Sequence, residues 1–179
     1  MSDKFKIIAI TPDYFFEEEA NQINQFLSEN KADLVHLRKP SASLKEMKTL
    51  VSKINENYHH RLKLHDHFEL LDKFNLGGIH LNRRNPLPYP NSKSISISIH
   101  SFHEIEETLI YDYFFISPVF DSISKEGYKS TFDLLELSEK IKGKNAIALG
   151  GVTPKKFPLL RSYGFSGAAM LGYFFFPNP

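Results

Sequence analysis

The residues of this chain best suited to chemistry lie in Ser117-Pro118-Val119-Phe120-Asp121-Ser122-Ile123-Ser124-Lys125, where an apolar run gives way to closely spaced hydroxyls ending on a lysine. Ser122 and Ser124 can each donate a hydrogen bond to a phosphate oxygen. The Lys125 ammonium adds a charge-assisted contact of about 1.5–3 kcal/mol. Such a loop suits an anion, the plain alternative being a solvated turn. Other chemistry-bearing residues are spread along the chain. Arg38 suits a phosphate or carboxylate, or a surface ion pair. His100 offers a neutral imidazole for proton exchange, or a cap for the helix after it. His65-Asp66-His67 sets a carboxylate between two imidazoles. Transition-metal sites want three or four ligands and the others are not evident, so Asp66 as an oxygen ligand for Mg²⁺ is preferred to a His-ligated zinc.

Elements that could position these residues follow from periodicity. Phe5–Ile10 reads as a strand, and a helical pattern with Ile23, Phe26 and Leu27 follows the acidic run Glu17–Glu19. Asp33–Leu37 is a second strand. Ser43 and Glu46 then form a capping box opening a helix with Leu44, Met47, Leu50, Val51 and Ile54 on one stripe. Further strands are expected at Arg61–Leu64, Gly78–Leu81, Lys93–Ile99, Tyr113–Ile116, Ala146–Leu149 and Gly167–Leu171. Between them come a short helix around Glu69–Phe74, a helix from the Ser101/Glu104 box through Ile105 and Leu109, one with Leu134, Leu137 and Ile141, and one from Thr153-Pro154 to near Gly164. Tyr173–Phe176 is a brief last element. Pro86, Pro88 and Pro90 exclude an ordinary helix from the fourth connection.

Eight short strands alternating with helices mean parallel strands and right-handed crossovers. The expectation is an α/β fold, a compact (β/α)₈ TIM barrel with a reduced fourth crossover helix, formed as a single domain over residues 1–179. An open doubly wound sheet is the alternative, but Thr11-Pro12-Asp13-Tyr14 is no Gly-rich first turn. In a barrel the functional face is at the strands' C-terminal ends. Period-2 alternation places His36 with Arg38, and Ser98 with His100, on inner faces there, leaving Ile95, Ile97 and Ile99 toward the helices. Gly150-Gly151 and Gly172 fall after strands seven and eight, where such barrels often hold a phosphate, although tight turns would also use glycine.

The totals narrow the function classes. The chain has 179 residues, 41% hydrophobic and 24% charged, with sixteen Phe and eight Tyr for a core. A formal charge of +1 gives no basic field for nucleic acid, and no cysteine is available as thiol nucleophile, disulfide or metal ligand. With no signal-like start and no apolar run near the roughly 20 residues of a membrane span, a cytoplasmic protein without membrane partners is expected. A homo-oligomer is compatible with the sequence.

Taken together, the motifs resemble the family of thiamine phosphate synthase and its relative, the thiazole tautomerase. Ser117–Lys125 resembles G-P-x-F-x-T-x-T-K, Ser98-Ile99-His100-Ser101 resembles S-x-H-[ST], and Leu37-Arg38 matches the L-R of Q-L-R-x-K. Gly78-Ile79-His80-Leu81 is similar to G-[VI]-H-L, and Ala148-Leu149-Gly150-Gly151-Val152 to A-[IL]-G-G-[IV], all in family order. The resemblance implies thiamine biosynthesis. A hydroxymethylpyrimidine diphosphate loses diphosphate, with Mg²⁺ as cofactor, and the resulting pyrimidine-methyl cation is captured by the nitrogen of a thiazole phosphate. It assigns Ser122, Ser124 and Gly151, with neighbouring Gly150, to the thiazole phosphate; Arg38, Ser98 and Lys125 to the diphosphate; and Asp66 to Mg²⁺.

The same resemblance marks departures. Pro40 stands for the lysine of Q-L-R-x-K, His36 for its glutamine, and His65 for the asparagine before the metal aspartate. Arg83 replaces the glutamine of G-[VI]-H-L-G-Q-x-D, Asn85 its second metal aspartate, and Gly172 the phosphate-loop serine. Most losses fall on the diphosphate and metal half. The expectation is a synthase, a transferase in which Arg83 and Arg84 take over diphosphate charge. A thiazole tautomerase, with His100 shuttling a proton and no metal, and a non-catalytic barrel that binds a thiazole phosphate are the alternatives.

Overall fold

The computed structural model describes residues 4–121 and 132–176, so Ser122, Ser124 and Lys125 lie outside the described residues. The strands are β1 (Lys6–Ile10), β2 (Leu34–Leu37), β3 (Leu62–Leu64), β4 (Gly78–Leu81), β5 (Ile95–Ile99), β6 (Tyr113–Ile116), β7 (Ala146–Leu149) and β8 (Gly167–Met170). They close a parallel barrel in chain order, as the alternation predicts. Parallel strands covered on both faces bury nearly every side chain. All residues of β3, β4, β6 and β8 are accordingly buried. Internal contacts gather in two compact units, Ile8–Ile95 and Ser96 onward with the residues up to Ile7.

In the unit Ile8–Ile95, α1 (Glu19–Ser28) buries Ile23 and Leu27, and α2 (Leu44–Lys53) buries Met47, Leu50 and Val51. The Ser43/Glu46 capping box forms as expected. Glu46 N donates to Ser43 Oγ at 3.3 Å and Ser43 N to Glu46 Oε2 at 2.8 Å. Leu44, assigned to the buried stripe, is 37% exposed. It occupies the first helical position, where the helix has not yet reached its packed turn. The expected helix around Glu69–Phe74 is a 3₁₀ segment, Phe68–Asp72, entered through a left-handed His67 at φ 56°. Between β4 and β5 the proline-rich stretch carries no helix, which bears out the reduced fourth crossover.

In the other unit, the helix expected from Ser101 is instead a 3₁₀ segment, His103–Ile110. Ile105, Thr108 and Ile110 are β-branched, and Thr108 Oγ1 donates to Ile105 O at 2.6 Å, a local bond that competes with α-helical pairing. In β5, Ile97 is half-buried while Ile99 is buried. Helix α3 (Leu134–Ile141) is capped by Asp133, whose side chain accepts from Leu135 N and Glu136 N, both at 2.9 Å. A 3₁₀ turn Pro154–Lys156 leads into α4 (Phe157–Ser162), and α5 (Gly172–Phe175) follows β8. Among the described residues no helix is long and apolar enough to cross a membrane.

Candidate active site

Asp66 lies two residues beyond the end of β3, with its side chain only 10% exposed. Both of its oxygens accept hydrogen bonds. Arg84 Nε and Nη2 donate to Oδ1 at 3.2 and 3.0 Å, Nη2 donates to Oδ2 at 3.2 Å, and Asn85 Nδ2 donates to Oδ1 at 2.9 Å. The loop after β4 is built to make these contacts. Asn82 Oδ1 accepts from Arg84 N at 3.0 Å and Asn85 N at 3.2 Å, an Asx turn, while Asn82 Nδ2 donates to His65 O at 2.7 Å. Asn85 Nδ2 also donates to His65 O at 3.1 Å. Its amide group therefore turns N–H, not oxygen, toward the carboxylate, because the flipped rotamer would set oxygen against two acceptors. As arranged, Asp66 and Asn85 do not form an oxygen donor set for Mg²⁺, which needs lone pairs converging at about 2.0–2.1 Å.

Behind this pair stand three buried imidazoles. His36 in β2, His65 after β3 and His80 in β4 bring one ligand-capable nitrogen each to within 4.8 Å of one another, the one such group among the described residues. His36 Nδ1 and His65 Nε2 are 2.9 Å apart, so one ring donates and the other accepts. Burial, then His65, His80 and Lys63, holds His36 well below the ordinary imidazole value. Burial, then His80, Arg38 and Arg84, does so for His65. Burial and then Lys63 push His80 down to about 3. All three are neutral at pH 7. The His65 and His80 rings stack at 4.3 Å with planes 21° apart, which aims their in-plane lone pairs alongside each other, and Lys63, Arg38 and Arg84 make the surroundings cationic. The trio is thus better suited to a neutral hydrogen-bonding floor than to a dication.

Arg38 is held where the alternation placed it, at the end of β2. Its backbone N donates to Thr11 Oγ1 at 2.9 Å, and its guanidinium lies 3.9 Å from Asp13 at 38% side-chain exposure. Arg83 is exposed. Lys39, next to Pro40, is buried and paired with Glu19 at 2.6 Å, so it does not stand in for the missing lysine.

In the other unit, the turns after β6 and β7 are fastened together. Val119 N donates to Leu149 O at 2.9 Å and Phe120 N to Gly150 O at 3.2 Å, while Lys156 Nζ donates to Gly151 O at 2.7 Å and lies 3.9 Å from the Phe120 ring centroid. Gly151 has φ 59°, and a Cβ there would come within 2.2 Å of Asp121 O. Close backbone approach is one demand these glycines meet. At Gly172 a Cβ would meet nothing among the described residues, which leaves space there for the absent serine. His100 is exposed, with Nδ1 2.9 Å from Ser117 O and its backbone N donating to Glu104 Oε2 at 2.8 Å. Ser98 is half-buried in β5.

Two residues of the site are weakly marked in the sequence. Arg84 stands out there only as a partner of Arg83, although Asn82 two positions before it signals an Asx turn that would aim it. His80 stood only as part of a motif, although it shares the inner-face alternation used for His36.

The chain matches the family model described as thiamine monophosphate synthase over residues 7–173. A thiamine phosphate pyrophosphorylase from Bacteroides thetaiotaomicron is 38% identical, with a TM-score of 0.81, covering 94% of this chain and 83% of its own. One from Pyrococcus furiosus is 18% identical at a TM-score of 0.77, covering 96% and 87%. A 3-hexulose-6-phosphate synthase, 12% identical at 0.58 over 94% and 90%, shares the fold alone. No curated protein matches.

Proposed function

The chain belongs to the thiamine monophosphate synthase family, and we propose that it catalyses the family's coupling, joining a hydroxymethylpyrimidine diphosphate to a thiazole phosphate with release of diphosphate. The observation that carries this reading is the 38% identity to a thiamine phosphate pyrophosphorylase across 94% of the chain. In the reaction the bond from the pyrimidine methylene carbon to diphosphate oxygen breaks and its electron pair leaves with the diphosphate. The thiazole nitrogen then gives its lone pair to that carbon, forming the thiazolium of thiamine phosphate. Such a step needs charge on the leaving group and fixed geometry more than a base.

The residues suit those needs. Arg38 and Arg84, with Arg83, offer guanidinium donors to the diphosphate, and Ser98 and Lys125 are assigned to the same group. His36 is fully buried and bonded to His65, so it acts behind the site rather than on the substrate, and His65 is the neutral imidazole offered to the pyrimidine. Ser122, Ser124, Gly150 and Gly151 are assigned to the thiazole phosphate, with Gly172 beside it. The tautomerase and non-catalytic readings are not favoured, since the family match and its solved members carry the synthase description. Incubating the purified protein with both substrates and measuring thiamine phosphate tests the proposal. Absence of product at every Mg²⁺ concentration, zero included, would overturn it.

A further inference from the structure

We infer that Arg84 takes the place of a divalent cation at Asp66, so that this chain binds the diphosphate group through a built-in guanidinium and without Mg²⁺. The inference rests on the proposed function for its substrate, and on three features of the site for its chemistry.

The first is geometry. The fork from Arg84 and the amide of Asn85 together direct four donor contacts of 2.9–3.2 Å onto the two oxygens of Asp66. A metal at Asp66 would have to displace a bidentate, charge-assisted pair on a carboxylate that is 10% exposed, where such pairs are strong. It would also have to turn Asn85 away from both Asp66 and His65 O. The main chain that carries Arg84 is itself tied down, its N–H donating to Asn82 Oδ1 at 3.0 Å.

The second is charge. Two carboxylates around a dication sum to zero, and so do one carboxylate, one amide and one guanidinium. The exchange of the second metal aspartate for Asn85 and the arrival of Arg84 at Asp66 therefore compensate each other. Adding Mg²⁺ to the present set would leave a net charge of two.

The third is reach. Asp66 uses the Nε and Nη2 edge of the guanidinium, and the Arg84 side chain remains 46% exposed. Among the described residues nothing accepts from Nη1, which leaves its two N–H groups for diphosphate oxygens. Arginine stays protonated throughout, so it stabilises the departing electron pair as a donor and transfers no proton.

Three measurements test this. In the coupling assay the wild-type rate in excess EDTA should lie within about twofold of the rate in millimolar Mg²⁺, and Arg84→Gln should lower it on the order of 100-fold, Arg84→Lys recovering only part because the fork is lost. Calorimetry with inorganic diphosphate in EDTA should show wild-type binding that Arg84→Gln weakens about tenfold. Mn²⁺ titration followed by its free-ion electron paramagnetic resonance signal should show no uptake by wild type, and uptake by the double variant Arg84→Gln with Asn85→Asp. A wild-type rate abolished by EDTA and restored by Mg²⁺, or Mn²⁺ uptake by wild type that Asp66→Asn removes, would overturn the inference. If coupling fails under every condition while metal-free diphosphate binding still depends on Arg84, the proposed reaction falls and the guanidinium site stands.

Discussion

Lys39 Nζ lies 2.6 Å from Glu19 Oε1, and neither side chain is more than 1% exposed. Lys39 also donates to Pro12 O at 2.8 Å and to Tyr14 O, so one ammonium ties the turn after β1 to the first turn of α1. Burial raises the Glu19 carboxyl and lowers the Lys39 ammonium, each opposed by the other's charge. Removing one partner strands a buried charge. Lys39→Met should therefore cost about 3–5 kcal/mol in urea unfolding, and Glu19→Leu added to it should cost less than the sum of the singles. Strict additivity would show that the two do not act as a pair.

The three imidazoles make the fold acid-sensitive. A histidine whose folded value lies below its unfolded value of 6.5 binds a proton more readily when unfolded. Stability from keeping it neutral is full above 6.5 and is lost as pH falls. For His80 the loss continues down to about 3, and His36 and His65 shift in the same direction. Thermal unfolding should show a steep fall in midpoint from pH 7 to pH 4, and His80→Gln should flatten it. An unchanged slope in that variant would assign acid lability elsewhere.

Gly151 and Gly172 should respond in opposite ways. Gly151→Ala places a Cβ against Asp121 O at a backbone φ of 59° and should destabilise by about 1–3 kcal/mol. Gly172→Ser meets nothing among the described residues and should stay within about 0.5 kcal/mol of wild type, while supplying the hydroxyl this family's phosphate loop carries. Chemical denaturation of both variants, with thiazole-phosphate affinity for the second, checks the pair.

Ser122→Ala and Lys125→Ala should each weaken thiazole-phosphate binding at least several-fold by calorimetry. Affinity unchanged in both would remove the anion assignment from the loop that carries them.

The alternation of short apolar runs with amphipathic stretches was enough to predict eight strands, the barrel and the absent fourth helix, because these follow from local periodicity and from proline's missing N–H. The Ser43/Glu46 box was equally legible, since both its partners lie within one helical turn. The Ser101/Glu104 box was less so. Ser101 Oγ donates to the Glu104 carboxylate at 2.9 Å, but no side-chain cap bond to the backbone forms at the segment's N-cap, and the segment, rich in the β-branched Ile105, Thr108 and Ile110, is 3₁₀.

Local pattern in the chain dictates which residues arrive at the ends of which strands, and its motifs mark the family. Tertiary structure decided how their charges pair. Asp66 reads from sequence as a metal ligand, but Arg84, 18 positions on, occupies it. Lys39 adjoins Pro40, where the family pattern has its lysine, but Glu19 holds its ammonium inside. Ion pairs form between groups that the barrel brings together from distant strands and loops, and no local period encodes which cation will reach a given carboxylate first.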